Sequence, residues 1–204
     1  SSTSSSWLLH AKNYADMIKD FLSLNNQSFV VEIASNDGYL LKNFIEFGIP
    51  CLGIEPTLST AKVSNELNIP TLTEFFSTSI AEKLLKEGKK ADLIIGNNVF
   101  AHVPFINDFT KGLKKLLKKE GTINLEFPHL LSLLEYKQFD TIYHEHFSYL
   151  SLQAVKKIFE KQDLRIYNVE ILNTHGGSLR IYGCHNNASI KTNNSVNDLL
   201  KLEY

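Results

Sequence analysis

Cysteine is scarce in this chain, and long hydrophobic runs are missing. Only Cys51 and Cys184 occur among its 204 residues, and they fit neither a metal-ligand spacing nor a disulfide framework. A reducing cytoplasm is therefore the predicted compartment. No apolar stretch approaches the ~20 residues that a membrane-spanning helix needs, and no signal-peptide pattern opens the chain. We expect no membrane partner.

A dominant charge of one sign is also lacking. The 21 basic and 22 acidic residues leave a formal net charge of -1, so nothing favours nucleic acid as a partner. The 43% hydrophobic and 21% charged residues are typical of a globular protein long enough to bury one sizeable core. The chain begins at Ser1 without methionine and stops inside an apparent amphipathic helix, so we expect a piece of a longer protein.

Hydrophobic segments alternate with helical patterns along most of the chain. Five apolar runs, each followed by a helical pattern, predict strands that begin near residues 30, 51, 69, 91 and 123. Two more runs, at 164–172 and 178–184, are joined by a short loop, which predicts an antiparallel pair. The order predicts an α/β fold with a seven-stranded, mostly parallel sheet, one reversed strand, and helices on both faces.

This pattern predicts one domain over residues 1–204. A leading helix should span about 5–24, and the sheet core should span about 29–185. Residues 186–204 are expected to begin a further downstream region that the chain cuts short.

The segment at 30–41, VVEIASNDGYLL, predicts a buried strand, a tight turn and a helix. In open α/β sheets, a nucleotide-like ligand sits at such a turn. Dinucleotide folds use G-x-G-x-x-G there to hold a pyrophosphate, but Ala34 and Asn36 occupy the first two glycine positions and Asp37 adds negative charge. This favours a cationic, phosphate-free nucleoside such as S-adenosylmethionine. An ordinary strand-turn-helix with an Asx turn is the alternative.

A second acidic signal follows at the end of the next predicted strand. Glu55 lies about twenty residues after the turn, the spacing at which an acid reaches ribose hydroxyls in nucleotide folds. An exposed acid at a strand end is the alternative. The predicted cofactor-binding residues lie in these two turns and after the fourth strand: Glu32, Ala34, Ser35, Asn36, Gly38, Tyr39, Glu55 and Asn97.

Residues 139–149, FDTIYHEHFSY, hold an unusual density of titratable side chains. They lie between the fifth predicted strand and the next helix, near the carboxyl edge of the sheet. A helical backbone would put Tyr143 and His146 on one face, whereas an extended one would pair Tyr143 with Glu145 and His144 with His146. H-E-H does not match the H-E-x-x-H zinc spacing, and companion cysteines are lacking, so a metal site is disfavoured. A solvated polar loop is the other alternative.

Five motifs, VEIASNDGYLL, GIEP, NNVFAHVP, FDTIYHEHFSYLS and HGGSLR, occur in this order. From the serines before Trp7 to about Cys184, the chain resembles the S-adenosylmethionine-dependent C-methyltransferases of nucleotide-linked 4-keto deoxysugars. The resemblance implies a Rossmann-like class I methyltransferase fold, with methylation of the carbon next to the ketone. Members carry a cysteine-rich zinc module upstream and an α/β region downstream. Zinc is therefore expected only in that upstream module, which these residues do not include, and no metal is expected here.

The same resemblance implies roles for four side chains. His146 is the expected general base, Tyr143 lies near the keto oxygen, Glu145 orients or polarises these groups, and His102 lines the pocket. The chemistry suits these residue types, because imidazole has an ordinary pKa of about 6.5 and a phenol can stabilise a developing enolate oxygen.

Phe127, His129 and His175 are the predicted substrate-binding residues, near the end of the fifth strand and in the final hairpin loop. A structural role for His129, and a turn-forming role for the loop around His175, are the alternatives. Two other functions stay open for the whole chain. One is a non-catalytic S-adenosylmethionine-binding domain of a multidomain protein. The other is a nicotinamide-dependent enzyme, which the missing glycines disfavour.

Overall fold

The computed structural model describes residues 5–173 and 176–204. Over these residues seven strands alternate with eight α-helices. The strands are β1 (Val30–Ile33), β2 (Cys51–Ile54), β3 (Thr71–Leu72), β4 (Ala91–Asn97), β5 (Leu117–Pro128), β6 (Leu164–Leu172) and β7 (Ser178–His185). The helices are α1 (Ser5–Phe21), α2 (Leu41–Glu46), α3 (Leu58–Glu66), α4 (Thr78–Lys86), α5 (Ile106–Leu116), α6 (Leu130–Glu135), α7 (Leu152–Glu160) and α8 (Asn194–Leu202). Short 3-10 helices cover Phe100–His102 and Phe139–Thr141.

The strands form a single sheet in the order β3-β2-β1-β4-β5-β7-β6. Neighbouring strands from β3 to β5 pair in parallel, whereas β7 is antiparallel to both β5 and β6. One strand is therefore reversed, next to the sheet edge. Parallel pairing needs long crossover connections, which explains why helices lie on both faces. The predicted seven-stranded, mostly parallel sheet is confirmed.

Each face of the sheet carries its own hydrophobic core. Val31 and Ile33 of β1 pack with α4, α5 and α7, whereas Val30 packs with α1 and α2 on the other face. All four residues of β1 are buried, because helices cover both sides of the strand. Alternation along β1 places the carboxyl group of Glu32 on the α1 side, beneath the carboxyl edge of the sheet.

The two terminal helices pack on this sheet. The leading helix, α1, ends at Phe21 rather than near residue 24, because Ser23 adopts a positive φ of 53° that a helix cannot contain. Val196 and Leu199 of α8 join the core, where α8 contacts β6 and α7. No helix within the described residues is long and apolar enough to cross a membrane.

Phe127, predicted to bind substrate, lies in the hydrophobic core instead. Its side chain is 0% exposed, and its ring centroid lies 6.0 Å from that of Phe100. Side chains alternate along β5, so Phe127 faces the core beneath α5 and α7, whereas Glu126 faces the α1 side. A packing role therefore replaces substrate contact at this position.

We predict that Phe127→Ala lowers the free energy of unfolding by about 3–5 kcal/mol, because the cavity left in this core cannot fully collapse. Urea denaturation measures the change. Leu58→Ala, at a side chain that is 73% exposed, is the matched control and should shift the free energy by less than about 0.5 kcal/mol. An alanine variant that keeps its stability and loses only substrate affinity would contradict the packing role.

Candidate active site

The turn after β1 is held in place by β2. The backbone N–H groups of Ala34 and Asn36 donate to the Ile54 carbonyl at 2.8 Å and to Glu55 Oε2 at 3.0 Å. Ala34 and Asn36 have positive φ angles of 58° and 54°, a region that asparagine tolerates better than most residues. The other Glu55 oxygen accepts from the Thr57 N–H at 2.8 Å. One carboxylate therefore ties together the loops after β1 and β2.

Two small residues of this turn face protein, not open space. Gly38 has a φ of +81°, and a Cβ atom there would lie 2.5 Å from Ser64 Oγ and 2.7 Å from Ile69 Cδ1. Ser35 is fully buried, and a Cβ atom on Gly53 would lie 2.4 Å from Ser35 Oγ. The turn packs this closely on β2 and α3 because these positions are small. The Ser35 side chain and the side of Gly38 that a Cβ atom would occupy therefore have packing roles, and ligand contact by the backbone of this turn stays a prediction.

Three carboxyl groups gather at the carboxyl ends of β1 and β2. Glu32 is 2% exposed, and burial raises its pKa well above the ordinary value, with Asp37 and Glu55 adding to the effect. Glu32 Oε2 has no hydrogen-bond partner within the described residues. Because a nearby cation would relieve the repulsion among these groups, this end of the sheet favours a positively charged ligand over a phosphate.

A cavity of about 430 Å³ opens beside the turn, within the size range of small-molecule sites. Its titratable lining residues are Glu74, His102 and Asp108, and none of the described residues around it is lysine or arginine. The cavity is therefore apolar and acidic. Its apolar walls include Ala34, Pro56, Phe75, Phe76, Val99 and Phe105.

Tyr39 and Asn97 meet on the α1 side of the turn. With Tyr14, Glu126 and Arg180 they line a second space of about 10 Å³, which has room for one water molecule. Arg180 donates to Glu126 Oε2 at 2.9 Å, and its guanidinium lies 4.7 Å from the centroid of the Tyr14 ring. Asn97 Oδ1 has no hydrogen-bond partner among the described residues. Of the predicted cofactor residues, Ala34 thus lines the larger cavity, and Tyr39 and Asn97 line the smaller space.

The reactive segment, residues 139–149, docks on the loop that follows β4. The Ser148 N–H donates to the Ala101 carbonyl at 3.1 Å. The rings of His102 and His146 lie 4.6 Å apart, and the Tyr143 ring lies 4.2 Å from that of His146. Since His102 also lines the 430 Å³ cavity, this residue connects the cavity with the reactive segment.

Backbone hydrogen bonds fix which nitrogen of His146 can act as a base. Its Nδ1 lies 2.8 Å from the Thr141 carbonyl oxygen. A carbonyl only accepts, so Nδ1 carries the hydrogen, and in the neutral ring Nε2 carries the lone pair. The Tyr143 hydroxyl lies 3.0 Å from Nε2 and donates to it. His146 is therefore oriented as a base whose lone pair the phenol covers.

Glu145 contributes its backbone rather than its carboxylate. Its side chain is exposed, and its carbonyl oxygen accepts from His102 Nδ1 at 3.0 Å. The orienting role predicted for Glu145 therefore falls to a backbone oxygen, and the carbonyl of Thr141 does the same for His146. Sequence carries no signal for such contacts, since every residue has a carbonyl. Among the described residues, no three metal-binding side chains are grouped to hold an ion.

His129 belongs to a buried polar contact. It is 1% exposed, and its Nε2 lies 2.8 Å from Glu203 Oε1, a partner 74 positions away in the chain. This position supports the structural alternative for His129 rather than substrate contact. Sequence reasoning missed Glu203 because nothing local marks so distant a pair. His175 lies outside the described residues.

A family model described as "Methyltransferase domain" matches residues 8–169. The match runs from α1 through the turn after β1 and the reactive segment into β6. The chain belongs to this methyltransferase domain family.

Two relatives extend this assignment. The chain is 32% identical over 202 residues to "C-methyltransferase NovU" of Streptomyces niveus, covering 99% of this chain and 48% of that protein. It is 28% identical over 95 residues to a ubiquinone biosynthesis O-methyltransferase of Bartonella tribocorum (strain CIP 105476 / IBS 506), covering 45% of this chain and 38% of that protein. This methyltransferase domain therefore spans about half the length of the first relative, and less of the second.

Solved structures share the fold. The PH0226 protein of Pyrococcus horikoshii OT3 superposes with a TM-score of 0.69 at 16% identity, covering 90% of this chain and 92% of that one. Magnesium protoporphyrin IX methyltransferase of Synechocystis PCC 6803 gives 0.63 at 13% identity, covering 85% and 83%. The predicted class I Rossmann-like methyltransferase fold is confirmed.

The raised pKa of Glu32 predicts how stability depends on pH. Neutral Glu32 stabilises the fold fully below the pKa of an unfolded glutamate, about 4.3, and that contribution is lost as pH rises through the folded pKa. Glu32→Gln stays neutral throughout, so it should be more stable than the wild type at pH 8, and the gap should shrink towards pH 4. Urea denaturation at pH 4, 6 and 8 measures this.

Glu46→Gln, at an exposed carboxylate on α2, is the control for Glu32→Gln and should show little change with pH. A gap between Glu32→Gln and the wild type that is constant, or that widens on acidification, would contradict the raised pKa.

Proposed function

We propose that this chain is the catalytic domain of an S-adenosylmethionine-dependent C-methyltransferase. Its substrate is a nucleotide-linked 4-keto deoxysugar, methylated on the carbon next to the ketone. The observation that carries this proposal is the contact of His146 with both Tyr143 and the cavity-lining His102. The 32% identity to C-methyltransferase NovU along nearly the whole chain supports carbon as the methyl acceptor.

His146 is the proposed general base. A carbon next to a ketone is only weakly acidic, so its proton leaves readily only with a positioned base and stabilisation of the enolate oxygen. The Thr141 carbonyl holds Nδ1–H at 2.8 Å and so aims the Nε2 lone pair away from the segment's backbone. His146 Nε2 takes the proton, and the ring becomes imidazolium.

Tyr143 is the proposed hydrogen-bond donor to the keto oxygen. Its hydroxyl covers His146 Nε2 at 3.0 Å. A ketone that accepts the phenol's hydrogen bond draws the hydroxyl away from Nε2 and frees the base. Substrate can reach this phenol because Tyr143 is 42% exposed. Binding of the ketone and exposure of the base are therefore coupled.

The residues at the ends of β1 and β2 fit S-adenosylmethionine. Glu32, Asp37 and Glu55 favour a cation, and the apolar cavity without basic lining residues suits an adenosyl group. Each Glu55 oxygen accepts one backbone N–H and keeps a lone pair for a ribose hydroxyl. The structurally similar magnesium protoporphyrin IX methyltransferase has been solved with bound S-adenosylmethionine. When bound here, the cofactor would supply an electrophilic methyl group.

We predict that His146→Ala lowers methyl transfer by at least ~100-fold, the usual contribution of a general base, and leaves S-adenosylmethionine affinity unchanged. Mass spectrometry of the natural full-length protein with a panel of keto-sugar nucleotides measures turnover, and calorimetry measures affinity. His144→Ala, at an exposed neighbouring imidazole, is the matched control and should retain turnover.

The same measurements separate the competing functions. Retained turnover in His146→Ala would remove His146 from the role of base. A wild-type protein that binds S-adenosylmethionine but methylates no keto sugar would instead be a non-catalytic binding domain. Preferential binding of a nicotinamide dinucleotide in the same titrations would indicate a dehydrogenase.

Tyr143→Phe removes the hydrogen-bond donor while keeping the ring, and should lower kcat by roughly 100-fold. The proton step can be isolated by replacing S-adenosylmethionine with S-adenosylhomocysteine and following solvent deuterium exchange at the carbon next to the ketone. We expect the exchange to slow in Tyr143→Phe and to stop in His146→Ala. Exchange at the wild-type rate in Tyr143→Phe would exclude the phenol from enolate stabilisation.

A further inference from the structure

The reactive segment is not held by hydrophobic burial. Phe139, Ile142 and Phe147 are 74%, 56% and 62% exposed, so they anchor little. The position of His146 must therefore depend on hydrogen bonds and on the two ends of the segment. At its entry, Gln138 Nε2 donates to the Gly176 carbonyl.

The exit of the segment is fixed to the end of β5. Leu150 is 4% exposed and forms a parallel bridge with His129, and the Leu130 N–H donates to the Leu150 carbonyl at 3.0 Å. The ring of Tyr149, next to Leu150, lies perpendicular to that of His146, with the two centroids 5.9 Å apart. A displacement of Leu150 would therefore move Tyr149 and, through its ring contact, the proposed base His146.

One carboxylate lies beneath this exit. Glu203 accepts from the backbone N–H groups of Leu152 and Gln153, at 2.6 Å and 2.8 Å, and its Oε1 lies 2.8 Å from His129 Nε2. Its side chain is 5% exposed and that of His129 is 1% exposed. Since a carboxylate only accepts, His129 donates through Nε2.

These contacts join three separate parts of the chain. Glu203 follows α8, His129 follows β5, and Leu152 and Gln153 open α7, which begins three residues after the end of the reactive segment. The negative charge of Glu203 also lies at the amino end of α7, where the helix dipole favours it. Removing the charge would loosen the start of α7 and the His129 side chain together.

We infer that Glu203 and His129 form a positioning pair that fixes the reactive segment and, through it, the place of His146. The inference rests on the proposed function, in which His146 is the base. Neither residue touches substrate, because both are buried behind the segment. A base displaced by about 1 Å can lose on the order of 100-fold in rate, so an anchor this close to the segment bears directly on turnover.

Glu203→Gln tests the pair in the natural full-length protein. Glutamine has nearly the same shape, but its amide donor would face one of the groups that now donate to the carboxylate. We expect kcat to fall about 10-fold or more with KM for S-adenosylmethionine unchanged. Asp198→Asn is the matched control on α8, where the carboxylate is 69% exposed and 4.0 Å from Lys201, and it should leave kcat unchanged.

His129 offers an independent pair of variants. His129→Gln keeps a donor for Glu203, whereas His129→Ala removes it, so kcat should be higher in the glutamine variant. Nitrogen NMR of the His146 ring gives a second readout. The wild type should show the Nδ1–H form set by Thr141, and Glu203→Gln and His129→Ala should show a mixture of tautomers.

A merely structural pair would lower the melting temperature and leave kcat and the His146 tautomer unchanged wherever the protein is folded. That result in both Glu203→Gln and His129→Ala would overturn the inference. If Glu203→Gln does not fold, equal kcat and tautomer in the two His129 variants would overturn it instead. The tautomer readout needs no turnover, so failure of the proposed function and failure of the positioning pair remain distinguishable.

Discussion

Parallel alignment of β1, β2, β4 and β5 is the constraint on which the site depends. Parallel strands end at a common edge of the sheet. The turn after β1, the carboxylate after β2 and the loop after β4 therefore lie close together, although helices separate them along the chain. A backbone turn with two non-glycine residues at positive φ is stable at this edge, because Glu55 and the Ile54 carbonyl accept its N–H groups. The pairing of the parallel strands thus fixes where the loops of the site lie.

The carboxyl groups at this edge lower the stability of the fold and favour a positively charged ligand. Glu32 is buried near two other carboxyl groups, an arrangement that costs free energy in the absence of a cation. A ligand that brings positive charge removes part of that cost, whereas a phosphate increases it. The carboxyl groups that lower the stability of this part of the fold therefore also favour a cationic ligand over a phosphate.

The two halves of the proposed active site are stabilised in different ways. The cofactor side consists of buried strand ends and closely packed small residues, where shape is fixed by side chains such as Ser35 and Ile69. The reactive segment exposes its large hydrophobic residues and is fixed mainly by backbone carbonyls and by contacts at its ends. This leaves His146 and Tyr143 open to a substrate while their orientation stays defined.

The sequence by itself determined the succession of strands and helices along the chain, the mostly parallel sheet with helices on both faces, and the residue types of the candidate site. Hydrophobic periodicity is a local property, and the Y-H-E-H cluster and the missing glycines are visible without contacts. Only the tertiary structure decided which atoms meet. It placed Phe127 in the core, gave the orienting role of Glu145 to a carbonyl, and paired His129 with Glu203 across 74 positions. These outcomes depend on which face a strand presents and on which distant segments meet, and no local pattern encodes either.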